Sequence, residues 1–178
     1  SNKTRLLYVG SLRETKGVEY LIRCVADLSK EYHLFIAGSG GNKKRLHSLA
    51  AEMGLTDQIT FLGQVPYESV ASLYANAEIF VHPGIWPEPF GRTILEAIQS
   101  GLPVVATNKG GPAEVIPQDE LLCKPKDPHS LSEKIKIAAE RRDEISNTNL
   151  QAVEEYSPSS IVPKIISIYD SVTSGDQE

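Results

Sequence analysis

Residues 82–97 of the chain read His-Pro-Gly-Ile-Trp-Pro-Glu-Pro-Phe-Gly-Arg-Thr-Ile-Leu-Glu-Ala, and residues 98–105 continue as Ile-Gln-Ser-Gly-Leu-Pro-Val-Val. The pattern predicts the end of a strand, a proline-rich loop, a helix and a new strand. The helix opens at Gly91, and its first N–H groups have no partner within the helix. Because these donors and the helix dipole attract negative charge, the start of this helix is suited to a phosphate group.

Two glutamates flank the predicted helix start. Glu88 precedes it in the loop, and Glu96 lies five residues after Gly91, roughly 7.5 Å along the helix axis. A carboxylate accepts two hydroxyl hydrogen bonds at once and therefore suits a vicinal diol. A phosphate site flanked by two diol sites matches the chemical groups of a sugar nucleotide. Two simpler interpretations remain open: an exposed salt bridge from Glu96 to Arg92, and a solvated loop charge at Glu88.

Composition indicates an ordinary globular protein. The chain has 178 residues, 40% hydrophobic and 23% charged, which predicts a single domain. Its net charge of −5 argues against a nucleic-acid partner. Cys24 and Cys123 lie in separate apolar segments and are predicted to be reduced core thiols. Because the sequence shows no signal peptide and no apolar run long enough to cross a bilayer, we expect a cytoplasmic protein.

Strand and helix patterns alternate about six times with short loops, which predicts a doubly wound, Rossmann-like α/β domain with a mostly parallel sheet. The predicted strands are residues 5–10, 33–37, 59–63, 78–81, 103–107 and 121–123. The predicted helices are residues 18–28, 42–53, 67–76, the helix opening at 91, a short helix holding Glu114, 128–142 with a solvated charged end, and 159–172.

In such a sheet, ligands bind at the carboxyl ends of the strands. The loop of residues 10–17 follows the first strand and carries Lys16, a candidate phosphate partner that is also compatible with a solvated lysine. The turn at residues 38–41 is rich in glycine and lets backbone approach a ligand, although its spacing differs from that of a dinucleotide loop. His82 ends a strand, where it either polarises a phosphate oxygen or caps the sheet edge, and we favour the cap.

The spaced set of motifs resembles a known family. Glu88 and Glu96 are separated by seven residues, within Glu-Pro-Phe-Gly and Leu-Glu-Ala segments, and residues 110–116 read Gly-Gly-Pro-Ala-Glu-Val-Ile. Together they resemble the paired-glutamate signature of retaining glycosyltransferases of the GT-B fold, the group 1 or family 4 type. The resemblance runs from Leu7 to about Tyr169. It implies that residues 1–178 are the C-terminal, donor-binding domain, and that the N-terminal acceptor domain is absent from this chain.

The resemblance also implies the role of each site residue. Glu88 would orient the donor sugar, Glu96 would bind the ribose hydroxyls, and Glu114 would be structural. The remaining donor-binding residues implied by the resemblance are Gly10, Ser11, Arg13, Lys16, Gly38, Val65, Pro89, Phe90, Gly91, Arg92, Thr93, Gly110 and Gly111. Lys16 and the N–H groups of residues 90–93 would hold the diphosphate, and the backbone of Val65 would contact the base. Ser11 stands where the family usually has arginine, and Arg13 is the candidate substitute.

The implied reaction is the metal-independent transfer of a sugar from a nucleotide-diphosphate sugar to a hydroxyl acceptor, with retention at the anomeric carbon and no cofactor. The implied partners are the nucleotide-sugar, the N-terminal GT-B domain and a glycan or lipid-linked acceptor, with a peripheral location at the inner face of the cell membrane as one possibility. By itself the domain is expected to be inactive. Two alternatives stay open: a nucleotide-sugar hydrolase or epimerase on the same scaffold, and a non-catalytic nucleotide-binding module.

Overall fold

A computed structural model of the chain describes residues 3–89, 91–153 and 157–174. Within these ranges the backbone forms six strands and eight α-helices. The strands are β1 (Thr4–Val9), β2 (Tyr32–Ala37), β3 (Ile59–Gly63), β4 (Ile79–His82), β5 (Val104–Thr107) and β6 (Leu122–Cys123). The helices are α1 (Val18–Val25), α2 (Lys43–Glu52), α3 (Tyr67–Asn76), α4 (Arg92–Gln99), α5 (Pro112–Val115), α6 (Pro128–Glu140), α7 (Arg142–Val153) and α8 (Pro158–Ser174).

The strands form one sheet in the order β3-β2-β1-β4-β5-β6, and every described pair is parallel. The predicted doubly wound α/β class is therefore confirmed. The chain runs outward from β1 to β3 and then returns to place β4 on the other side of β1. This reversal brings the loops after β1 and β4 next to each other at the carboxyl edge, where open α/β sheets bind their ligands.

Alternating side chains divide the apolar core between the two faces of the sheet. In β1, Leu6 and Tyr8 contribute to one buried cluster, and Leu7 contributes to the other. The first cluster also contains residues from α1, α2 and α6, whereas the second contains residues from α3, α4 and α5. Cys24 and Cys123 are both buried free thiols in the first cluster, as predicted.

The segment after α6 differs from its prediction. The sequence predicts one helix through Arg142 with a solvated charged end, but α6 stops at Glu140 and α7 begins at Arg142. Arg141 pairs with Glu120 and, at 2.6 Å, with Glu144, and Arg142 pairs at 2.7 Å with Glu78, 64 residues earlier in the chain. The charged end is exposed, as predicted, but hydrophobic periodicity could not predict the helix break or these ion pairs.

Helix α8 carries apolar side chains that the rest of the described chain does not cover. Ile165, Ile168 and Tyr169 are 47%, 63% and 69% exposed. No described helix, α8 included, combines the length and the apolar character needed to cross a bilayer.

Gly38, at the end of β2, is required by the packing of the carboxyl edge. Its φ of +149° is one that L side chains rarely adopt, and an added Cβ would lie 1.8 Å from the carbonyl oxygen of Gly10. We expect Gly38→Ala to lower the free energy of unfolding by roughly 2–3 kcal/mol, measured by thermal or urea unfolding. Gly41→Ala is the matched control, because a Cβ there meets nothing within 4 Å. Equal stabilities of the two variants would contradict this explanation.

Candidate active site at the carboxyl edge of the sheet

The loop after β1 is joined by its backbone to the loop after β4. Gly17 ends a short 3-10 turn with φ +66°, and an added Cβ would lie 2.0 Å from the Pro83 carbonyl oxygen. On the same side, the Ile85 N–H donates to the Thr15 carbonyl at 3.0 Å. These contacts fix Lys16, the residue between Thr15 and Gly17, against the β4 loop.

The loop after β4 is also held from the β5 side. The Thr107 hydroxyl donates to the Gly84 carbonyl at 2.5 Å, and the Gly111 N–H donates to the Glu88 carbonyl at 2.7 Å. Glu88 and Gly110 form an isolated parallel bridge. The structure therefore brings Gly110 and Gly111, both predicted site residues, against the backbone of Glu88.

Three ionisable side chains from these loops and from the end of β4 meet at one point. Glu88 pairs with the Lys16 ammonium through Oε1, and its Oε2 lies 3.3 Å from Nε2 of His82. The Glu88 side chain is only 16% exposed. The interpretation of Glu88 as a solvated loop charge, and that of Lys16 as a solvated lysine, are therefore wrong.

His82 is neutral in this environment. Burial, and then the nearby charge of Lys16, lower its pKa to about 4. Because Nε2 faces a carboxylate oxygen, the neutral ring is assigned its proton on that nitrogen, while Nδ1 is buried and has no partner among the described residues. The pKa of Lys16 is also lowered, first by burial and then by the charge of Arg13.

Helix α4 begins beside this cluster. Gly91 precedes it with φ +74°, and no described side chain caps the helix, so its first N–H groups are available to an anion. Arg92 and Thr93 carry two of these groups and line the cavity described next. Phe90, another predicted N–H donor, lies outside the described residues.

A cavity of about 360 Å³ opens between the β1 loop, the end of β4 and the start of α4. Its lining residues are Tyr8, Val9, Gly10, Ser11, Lys16, His82, Glu88, Arg92 and Thr93. It combines an ammonium group, a carboxylate and free helix N–H groups, which suits a ligand with both phosphate and hydroxyl groups. Arg13 is exposed and Pro89 is exposed, and neither belongs to this lining.

Glu96 lies in a second cavity of about 370 Å³ between α3 and α4. The Tyr74 hydroxyl donates to its Oε2 at 3.0 Å, and burial followed by the Glu96 charge raises the pKa of Tyr74. Arg92 approaches the other carboxylate oxygen at 3.7 Å, with 85% of its side chain exposed. The predicted salt bridge is thus present but long, and the buried phenol is the shorter contact.

A third cavity of about 250 Å³ connects these two regions along the sheet edge. Gly38 and Val65, both predicted donor-binding residues, line it. It shares residues 9–11 with the first cavity and Val70 with the second. Nine of the fifteen predicted site residues line these three adjoining cavities, which are together called the groove.

Two residues of the site were not assigned a binding role from the sequence. The sequence favours His82 as a cap of the sheet edge and predicts Tyr74 only as part of the helix at residues 67–76. The position of His82 at the end of a buried parallel strand, six residues before Glu88, was the available signal. The Tyr74–Glu96 contact joins two helices and has no local signal in the sequence. Glu114, expected to be structural, is exposed.

The lowered pKa of His82 leads to a pH-dependent stability. Because the folded pKa of about 4 lies below the unfolded value of about 6.5, the unfolded chain binds more protons between these values. Stability is therefore expected to fall by roughly 3 kcal/mol as the pH drops from 6.5 to 4. An NMR titration should show His82 titrating near pH 4 in the folded chain, near 6.5 in urea, and at a higher pH in folded Lys16→Met. A folded midpoint near 6.5 would contradict the buried site.

The chain matches known proteins over most of its length. It is 32% identical, over 172 residues, to an uncharacterized glycosyltransferase of Methanocaldococcus jannaschii, with 92% of this chain and 44% of that protein covered. Anabaena HepE in complex with UDP has a TM-score of 0.87 at 26% identity, covering 96% of this chain and 49% of that one. In complex with UDP-glucose, HepE gives a TM-score of 0.85. The C-terminal domain of a group 1 family protein from Francisella tularensis has a TM-score of 0.77 at 25% identity, covering 88% and 87%.

This chain spans about half the length of the first two of these relatives. Residues 1–155 match the family described as glycosyl transferases group 1, and the matched segment contains every residue that lines the three cavities. The predicted resemblance to this family is confirmed. The chain belongs to the glycosyl transferases group 1 family.

Proposed function

We propose that this chain is the donor-binding domain of a retaining, metal-independent glycosyltransferase that moves a sugar from a nucleotide-diphosphate sugar to a hydroxyl acceptor. The whole protein would carry a second, acceptor-binding domain, and its acceptor would be a glycan or a lipid-linked molecule. The observation that carries the proposal is the convergence of Lys16, Glu88 and the uncapped start of α4 on one cavity at the strand-order reversal.

The charges of this cavity match a donor diphosphate. Lys16 and the N–H groups of Arg92 and Thr93 provide positive charge and hydrogen-bond donors on one side of the cavity. Charge builds up on the leaving diphosphate as the bond to the sugar breaks, so groups fixed there before the reaction stabilise the transition state more than the bound substrate. In this proposal these protein groups supply the positive charge, and the transfer requires no metal ion.

The two glutamates would hold the two ends of the donor. Glu88 faces the Lys16 cavity and would bind hydroxyls of the donor sugar, while Glu96 faces the cavity between α3 and α4 and would bind the ribose hydroxyls. The groove between them passes Gly38 and Val65, where the backbone would contact the base. HepE, a structural relative with the same domain, has been solved with UDP and with UDP-glucose, which supports a nucleotide-sugar in this groove.

A second candidate function is a nucleotide-binding module that does not catalyse transfer. The observation in its favour is the diphosphate side of the cavity, where Ser11 stands at the usual arginine position and Arg13 is exposed. A whole protein that binds the donor yet forms neither glycoside nor free sugar would identify such a module. Release of free sugar, or of an isomer of the donor, without an acceptor would instead identify a hydrolase or an epimerase.

Loss of the Glu96 carboxylate should weaken nucleotide binding. We expect Glu96→Ala to reduce the affinity for a nucleoside diphosphate by roughly 1–3 kcal/mol, because charged hydrogen bonds to the ribose hydroxyls are lost. Calorimetry with UDP, GDP and ADP measures the effect and also identifies the base. Glu114→Ala, which removes an exposed carboxylate on α5, is the matched control. Unchanged affinity in Glu96→Ala would refute the ribose assignment.

The 178-residue chain alone should not transfer sugar. Its donor groove is open at the edge of the sheet, and an acceptor pocket would come from the second domain of the whole protein, so the reacting groups are not brought together. Incubation with radiolabelled nucleotide-sugars and candidate acceptors, followed by product separation, should show no glycoside. Turnover by this chain alone would overturn the assignment of the acceptor pocket to another domain.

A further inference from the structure

We propose that His82 is a positioning residue, whose Nε2–H group holds the Glu88 carboxylate in the orientation that receives the donor sugar. The inference rests on the proposed function, since it assigns a role within the same site. It concerns a residue whose position in the sequence predicted only a cap of the sheet edge.

The geometry supports this role. His82 is the last residue of β4 and is only 3% exposed, so the sheet fixes its backbone and the core fixes its ring. Its Nε2 lies 3.3 Å from Oε2 of Glu88. The loop between them is held at Gly84 by Thr107 and at Ile85 by Thr15. Both partners of the contact are therefore fixed before any ligand arrives.

The burial of an imidazole at this position needs a reason. The other residues of β4, Ile79–Val81, are all apolar and fully buried, and an apolar side chain at position 82 would continue this pattern. Instead, the ring leaves Nδ1 buried without a partner among the described residues, which is unfavourable. Oε2 of Glu88 lies 3.3 Å from the other ring nitrogen. The contact with Glu88 is therefore what the histidine provides at this position.

The two contacts of Glu88 differ in what a donor would do to them. Lys16 bonds to Oε1, and its flexible ammonium is also the expected partner of the diphosphate, so a bound donor competes for it. His82 contacts Oε2 at 3.3 Å, and the residue is 3% exposed, so it is less free than the lysine to move toward a ligand. When Lys16 moves to the phosphates, His82 is the contact that keeps the carboxylate in place.

The test separates binding of the sugar from binding of the nucleotide. Calorimetry on wild type first screens three pairs of probes: UDP with UDP-glucose, GDP with GDP-mannose, and ADP with ADP-glucose. The variants are then measured with the pair that wild type binds. We expect His82→Leu to weaken sugar-nucleotide binding about 5–10-fold while nucleoside-diphosphate affinity stays within about twofold of wild type. His82→Gln, which restores an N–H donor, should recover most of the loss. His47→Leu is the matched control, because His47 is exposed and stacks on Phe61.

A double variant tests whether His82 acts through Glu88. If it does, His82→Leu added to Glu88→Ala should cause no further loss of sugar-nucleotide affinity. Additive losses in the double variant would overturn the inference and leave the proposed function standing. So would an unchanged ratio of sugar-nucleotide affinity to nucleoside-diphosphate affinity in His82→Leu, whether both affinities fall equally or neither changes. If wild type binds none of the six probes, the proposed function fails, and the inference fails with it.

A measurement without substitution at His82 covers the case in which His82→Leu does not fold. The ¹⁵N shifts of His82 should show a neutral ring protonated at Nε2, and Glu88→Gln should change the Nε2 shift. A ring protonated at Nδ1 in wild type would overturn the inference.

Discussion

The close backbone contact between Gly17 and the Pro83 carbonyl is the constraint on which the site depends. A Cβ at position 17 would lie 2.0 Å from that oxygen, so the loops after β1 and β4 can meet this closely only because residue 17 is glycine. The strand order places these loops side by side, and their contact brings Lys16 to Glu88. The order of the parallel strands, together with this contact, therefore determines where Lys16 and Glu88 meet.

Within that cluster, the negative charge of Glu88 is balanced by Lys16. Burying a carboxylate is costly unless it is paired, and Glu88 is paired twice, with Lys16 and with His82. Without a ligand, Lys16 stabilises Glu88. With a diphosphate at the helix start, the lysine would have a second anionic partner, and the carboxylate would become available to hydroxyl groups. The same three side chains can therefore serve both the stability of the empty site and the binding of a donor.

Hydrophobic periodicity was sufficient to predict the fold. All six strands and most helices follow from local patterns, and the Glu88–Glu96 spacing predicted that the two carboxylates flank the start of α4. The break between α6 and α7 lies where Arg141 and Arg142 pair with glutamates distant in the sequence. The contact of His82 with Glu88 and the hydrogen bond from Tyr74 to Glu96 both join different parts of the fold. Both contacts are fixed by tertiary packing; the local sequence hints at the first through the position of His82 at a strand end, and gives no sign of the second.

The most direct measurement of the central claim is a crystal structure of this chain with the nucleoside diphosphate sugar that it binds. The pyrophosphate should lie within hydrogen-bond distance of the Arg92 and Thr93 N–H groups and of the Lys16 ammonium. The sugar hydroxyls should contact Glu88, and the ribose hydroxyls should contact Glu96. A pyrophosphate bound away from Gly91, with Glu88 still paired to Lys16 and Glu96 facing solvent, would contradict the assignment of this groove as the donor site.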